Sequence, residues 1–140
     1  MSCIRANIDI TIVEGGTFDK TFQWKTGDPA VAVDLTGYTA KMQVRAKLKD
    51  ASPLIDIESS EDPWEADVKS GIFFYDDEYD PDDAGKWRIY ITDEDAADIC
   101  SAHKDITGVY DCFLYNPDGE AVLQLYGVAT LVAAVTREET

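Results

Sequence analysis

Histidine occurs once in the 140 residues, at His103, and cysteine three times, at Cys3, Cys100 and Cys112. An odd number of thiols with no CxxC pair signals neither a disulfide framework nor a zinc site. Cys100 and Cys112 lie within apolar patterns and read as buried thiols acting as small hydrophobes. His103 has no second histidine to work with and no serine or cysteine in a nucleophile motif. It is therefore read as a capping or packing residue near the end of a helix. Long apolar runs are missing as well: residues 127–135 form the longest, interrupted by Thr130 and too short to cross a bilayer. The first seven residues lack the basic stretch and apolar core of a secretion signal, so synthesis and folding in a cytoplasm are expected.

Positive charge is scarce. With 12 basic against 28 acidic residues the net charge is −16, which repels nucleic acid and anionic lipid, so neither nucleic acid nor membrane is expected as a partner. Solubility or a salt-rich habitat accounts for such a charge without a specific site; docking on a basic partner and mimicry of a DNA surface are the alternatives. Hydrophobic residues at 45% and aromatics at 11% are ordinary for a globular chain, and the length suits one domain over residues 1–140 with a short charged tail at 136–140. No motif singles out a pair of carboxylates for acid–base work. Neither enzyme activity nor a cofactor or metal is expected.

Alternation of apolar and polar residues dominates the chain. Ile8, Ile10 and Ile12 share one face of a half-buried strand over residues 7–13, and Phe18, Phe22 and Trp24 mark another over 17–24. Glu14, Gly15 and Gly16 between them predict an antiparallel hairpin. Residues 30–33 read as a minor edge strand. Leu35, Thr36, Gly37 and Tyr38 look like a corner in which Gly37 takes the bend while Leu35 and Tyr38 plug the end of the core. Ala40, Met42 and Val44 alternate with Lys41, Gln43 and Arg45 in a further strand, and residues 54–58 follow with Ile55 and Ile57 inward. Residues 59–70 lack periodicity and read as loop, with Trp64 folding back as a plug.

Residues 71–75 favour a strand that runs into an acidic stretch. Asp76, Asp77, Glu78, Asp80, Asp82 and Asp83 are six of the eight residues 76–83. Carboxylates at this density can collect calcium. The run lacks the Asp-x-Asp-x-Asp-Gly order with a glutamate at the twelfth position, however, and Pro81 stiffens its middle. A solvated loop is expected, and these six residues form the candidate contact loop.

Trp87, Ile89 and Ile91 share one face of the next strand. Thr92 then caps a helix whose first turn carries Asp93, Glu94 and Asp95, where the helix dipole favours negative charge. Ala96, Ile99, Cys100 and His103 make its buried stripe over about three turns. Strands at 108–115 and 121–135 follow, joined by Asn116, Pro117, Asp118 and Gly119 in a tight turn. Gly127 predicts a bulge or bend that lets the last strand pass between sheets. Seven or eight short strands with one short helix describe an all-β fold: an antiparallel, immunoglobulin-like β-sandwich.

Two groups of residues carry a resemblance. The first is Gly15-Gly16-Thr17-Phe18 with Phe22-Gln23-Trp24, then the corner Leu35-Thr36-Gly37-Tyr38 and its strand. The second is the strand ending in Ile91-Thr92, the acidic and alanine-rich helix, Gly108-Val109-Tyr110-Asp111, Asn116-Pro117-Asp118-Gly119, and the strand containing Gly127 and closing on Val135. The chain resembles small virion proteins of tailed bacteriophages and is similar to the N-terminal domains of siphophage baseplate upper proteins. The resemblance implies a structural virion component assembled in the host bacterial cytoplasm: a tail or baseplate adaptor, a fibre-anchoring protein or a decoration subunit. Its partners would be other virion subunits in multiple symmetric copies. Ending soon after the sandwich, the chain is expected to be a stand-alone subunit. Expected contact surfaces are residues 76–83, residues 47–53 and the two termini. The alternatives are an acidic DNA-mimic inhibitor of a host nucleic-acid-binding complex, and a carbohydrate-binding sandwich using Trp24, Trp64 or Trp87.

Overall fold

The computed structural model describes residues 6–47, 49, 52–59, 69–75, 84–99 and 105–133. The six acidic residues of the candidate contact loop (Asp76, Asp77, Glu78, Asp80, Asp82, Asp83) lie outside them, as do Cys3, Trp64, Cys100, His103 and the tail at 136–140. In chain order the described residues form β1 (Ala6–Asn7), β2 (Ile10–Val13), β3 (Phe18–Gln23), β4 (Lys25–Thr26), β5 (Val31–Ala32), β6 (Thr39–Arg45), β7 (Ile55–Glu58), β8 (Gly71–Phe74), β9 (Lys86–Ile91), α1 (Asp93–Ile99), β10 (Ile106–Tyr115) and β11 (Ala121–Val132). The fold is all-β. One sheet has six strands in the order β1-β11-β10-β6-β7, with β2 also on β11; a second has three in the order β3-β9-β8; β4 and β5 make a small ribbon.

Alternation in the sequence becomes a shared core between the two main sheets. Met42 and Val44 of β6, with Cys112 and Leu114 of β10, meet Ile72 of β8 and Trp87, Ile89 and Ile91 of β9 in one apolar cluster. Trp87 is 1% exposed and stacks on Phe22 with ring centroids 5.0 Å apart. Burying each aliphatic side chain of this set contributes roughly 1.5–3 kcal/mol. The thiol of Cys112 is free and fully buried, as its apolar setting predicts, and burial holds its pKa well above the ordinary thiol range.

Helix α1 starts as expected. The Asp95 amide donates to the Thr92 hydroxyl at 3.1 Å, three acidic residues fill the first turn, and Ala96 is buried against the core. A partner not legible in the sequence completes this end: Ser70, before β8, accepts from the Thr92 amide at 2.9 Å and donates to the Asp95 carboxylate.

Three expectations are corrected. Strands β2 and β3 do not form a hairpin: β2 lies on β11, while β3 lies on β9 in the other sheet. The turn at Glu14, Gly15 and Gly16 carries the chain from one layer to the other. Inward-pointing Ile10 and Ile12 satisfy the core from one side and Phe18 and Phe22 from the opposite side, so the alternation is the same whichever strand is the partner. The larger sheet is mixed rather than antiparallel, because β1 and β2 both run parallel to β11. Gly127 does not send β11 into the other sheet, since β11 pairs with β10 along its whole length. The register shift lies elsewhere: Cys112 faces Leu125 and Phe113 faces Leu123, so Gln124 is the extra residue of a bulge.

Gly127 instead admits the N-terminal strand. A Cβ there would lie 2.6 Å from the Ile8 carbonyl oxygen, at a backbone φ of 157°. Between β1 and β2 the regular ladder lapses, and side chains replace it. The Ile8 amide donates to the Tyr126 carbonyl at 3.0 Å, the Asp9 carboxylate accepts from the Val128 amide at 3.1 Å, and the Tyr110 hydroxyl donates to the Ile8 carbonyl. Desolvation pushes the Tyr110 phenol up to about 12, with Cys112 and Asp9 adding to the effect.

Gly127→Ala should therefore destabilise the protein by about 1–3 kcal/mol in urea unfolding. Hydrogen exchange at Ile8 and Ile10 should quicken. Tyr110→Phe should cost about 1 kcal/mol at neutral pH through the lost hydrogen bond. The phenol titrates higher in the fold than in the unfolded chain, so wild-type stability should fall as pH rises from 10 towards 12. Melting temperatures across that window should show the fall reduced in Tyr110→Phe.

Candidate functional site

The two sheets turn different faces to solvent. On the three-stranded sheet Arg88 points outward and makes two hydrogen bonds to the Asp19 carboxylate, at 2.7 and 2.8 Å, and it lies 4.8 Å from the centre of the Tyr90 ring; Phe73 sits opposite it in register on β8. Thr21 and Tyr75 join their hydroxyls at 3.1 Å.

The six-stranded sheet is different. Its inward residues on β10 are Tyr110, Cys112 and Leu114, which turns Val109, Asp111, Phe113 and Tyr115 outward. The ladder then sets rows across the sheet. Val128, Val109 and Arg45 form one; Tyr126, Asp111, Gln43 and Asp56 form the next; Phe113, Lys41 and Glu58 form a third. Val109, Val128 and Tyr126 are 39%, 38% and 38% exposed, and Val13 of β2 extends the apolar area at 44%. Phe113 and Tyr115 lean together with centroids 6.4 Å apart. An apolar strip on β10 and β11 is thus bordered by both signs of charge on β6 and β7, the anatomy of a contact face with an apolar centre and polar rim.

Asp111 stands in the middle of this strip. Burial among its neighbours raises its carboxyl above the ordinary range, and Arg45 offsets part of that rise. The Arg45 guanidinium also donates to Gln43 at 2.8 Å, holding its row in place.

The corner anticipated at residues 35–38 packs Leu35 and Tyr38 against the core. Both the amide and the hydroxyl of Thr36 donate to the Asp34 carboxylate, at 3.0 and 2.7 Å, which holds that carboxyl below its usual range. Gly37 takes a φ of +81°, and a Cβ on it would lie 3.0 Å from Cγ of Pro117. The corner therefore rests on the β10–β11 turn, where the Asn116 side chain accepts from the amides of Asp118 and Glu120. Two motifs some eighty residues apart in sequence meet in space.

The acidic contact loop lies outside the described residues. Of the expected loop at 47–53, Lys47 and Lys49 are described and exposed. Trp87 is a core residue and takes no part in a surface platform; Trp24 is half-buried, edge-on to Tyr38 at 6.1 Å. Among the described residues no three His, Cys, Asp or Glu side chains gather to hold a metal. The outward strip was missed in the sequence because Val109, Phe113 and Tyr115 look like ordinary strand residues until β11 and β6 are set beside them. Its signal was apolar residues at both parities of one strand.

Asp111→Asn should raise the melting temperature at pH 7, because it removes a carboxylate that the fold partly desolvates. The difference from wild type should vanish as pH falls and the native carboxyl protonates. Thermal melts from pH 3 to pH 7 test both halves. Compared with known proteins, the chain matches no family model and no curated sequence.

Proposed function

We propose that this protein is a non-enzymatic structural component of a tailed-phage virion, a tail or baseplate adaptor, a fibre-anchoring protein or a decoration subunit, acting through contacts with other virion subunits. The observation that carries the reading is the outward apolar strip of Val109, Val128, Tyr126, Phe113 and Tyr115 on the six-stranded sheet. A fixed face of this kind suits repeated, symmetric contacts in which many copies add their affinities.

The finer fold reading supports the same conclusion. We read the order β2-β11-β10-β6-β7 beside β3-β9-β8, with a short helix between β9 and β10, as an immunoglobulin-like sandwich; the two sheets sharing one core support that reading. Phe22 stacks on Trp87 across neighbouring strands of the smaller sheet, and Cys112 is a buried free thiol. Such a domain holds its shape in a reducing cytoplasm, where the resemblance places assembly. The net charge of −16 keeps free subunits apart and directs them to basic neighbours.

Mass spectrometry of purified phage particles from the source should find this chain in multiple copies. A Val128→Lys copy should fold with stability within about 0.5 kcal/mol of wild type, because the side chain is already well exposed, yet be excluded from particles in competition with wild type. Absence of the wild-type chain from particles, together with capture of a host nucleic-acid-binding complex released by duplex DNA, would overturn the reading in favour of the DNA mimic.

A further inference from the structure

The bulge in β11 does something a regular strand does not: it turns Gln124 into the interior. Gln124 is only 6% exposed, and its amide nitrogen is buried with no hydrogen-bond partner among the described residues. A second orphan donor lies beside the same space, the indole nitrogen of Trp24. Both residues line one cavity of about 200 Å³, walled by Ile8, Phe22, Trp87 and Leu125 and reaching the surface beside Gln23 and Lys25. The Trp24 backbone is pinned on both sides, its amide donating to the Gly85 carbonyl at 2.8 Å and its carbonyl accepting from Val33 at 2.9 Å.

Buried donors are almost always paired, so two N–H groups on one cavity that the described residues leave unpaired call for an acceptor. The walls are apolar, and the size is sufficient: an engineered apolar cavity of about 150 Å³ takes up benzene. The terminal torsion of a glutamine is broad, so the Gln124 amide can turn its N–H towards a guest without leaving its rotamer. Lys25 at the mouth adds a positive charge on a chain that is otherwise strongly negative.

We propose that this cavity is a binding site for a small apolar carboxylate. Its ring or short alkyl chain would sit against Phe22, Trp87 and Leu125, with the carboxylate oxygens accepting from Trp24 and Gln124 and facing Lys25. The guest is either a free acid or the terminal residue of a partner chain, and the chemistry of recognition is shared.

The test is a titration of the ¹⁵N-labelled protein with benzoate, following the Trp24 indole and Gln124 side-chain amide resonances. Toluene serves as the probe without a carboxylate, and a short peptide ending in phenylalanine, free or amidated at its C-terminus, separates the two sources. Benzoate should shift both resonances saturably and bind at least about tenfold tighter than toluene, a difference of one well-made hydrogen bond to a charged group. Trp24→Phe and Gln124→Met should each weaken benzoate by about tenfold and leave toluene unchanged. Should Gln124→Met disturb the bulge, Gln124→Glu keeps its shape and should abolish benzoate binding by repulsion while sparing toluene. Equal affinity for benzoate and toluene, full benzoate affinity in the variants, or no saturable shift would each overturn the proposal.

Discussion

Close approach of the N-terminal strand to Gly127 is the constraint on which the rest of the larger sheet depends. With the Ile8 carbonyl oxygen where a Cβ would otherwise lie, β1 and β2 can run in one register along β11, from Ala6 opposite Leu125 to Val13 opposite Val132. That arrangement makes β11 an interior strand, hydrogen-bonded on both sides. Where the ladder lapses at Ile8 and Asp9, the Tyr110 hydroxyl and the Asp9 carboxylate take up the backbone groups left over. Polar groups left unpaired there would cost as much as the neighbouring apolar contacts contribute, so the side-chain substitutes matter as much as the core.

Seating the first strand on the last has a topological consequence. Because β2 belongs to the six-stranded sheet and β3 to the other, the turn at Gly15 crosses the core, and each sheet receives residues from both halves of the chain. The inner faces close on each other through Trp87, Phe22 and the aliphatic cluster, which leaves two outer faces with different characters. On the smaller one Arg88 is paired with Asp19. On the larger one Val109, Val128, Tyr126 and Val13 are exposed. Protein–protein contact is the use for which such a face is physically suited, and the proposed virion role rests on it.

Both departures from regular pairing in β11 lie within four residues of each other. The bulge at Gln124 rotates an amide inward, and Gly127 lets another strand come close; together they shape the edge of the sandwich where the Trp24 cavity opens. Irregularity is concentrated there, whereas β9 and β10 alternate without interruption through the core.

Much of this was determined by the sequence alone. Period-two alternation identified the strands, because a half-buried sheet imposes that pattern whatever its neighbours. Thr92 with its acidic first turn marked the helix start, Asn116 to Gly119 marked the last hairpin turn, and the glycine in the Leu35 to Tyr38 corner marked a bend, because each local motif satisfies its own backbone. Tertiary structure alone decided which strand lies beside which. Ile10 and Ile12 face the core equally well beside β3 or β11, and the parallel seat depends on residues over a hundred positions from Ile8: Gly127, which admits the Ile8 carbonyl, and Tyr110, which bonds it. The same holds for the outward strip, the Ser70 cap and the orphaned amide of Gln124: each is a relation between residues distant in the chain, and local periodicity carries no information about such relations.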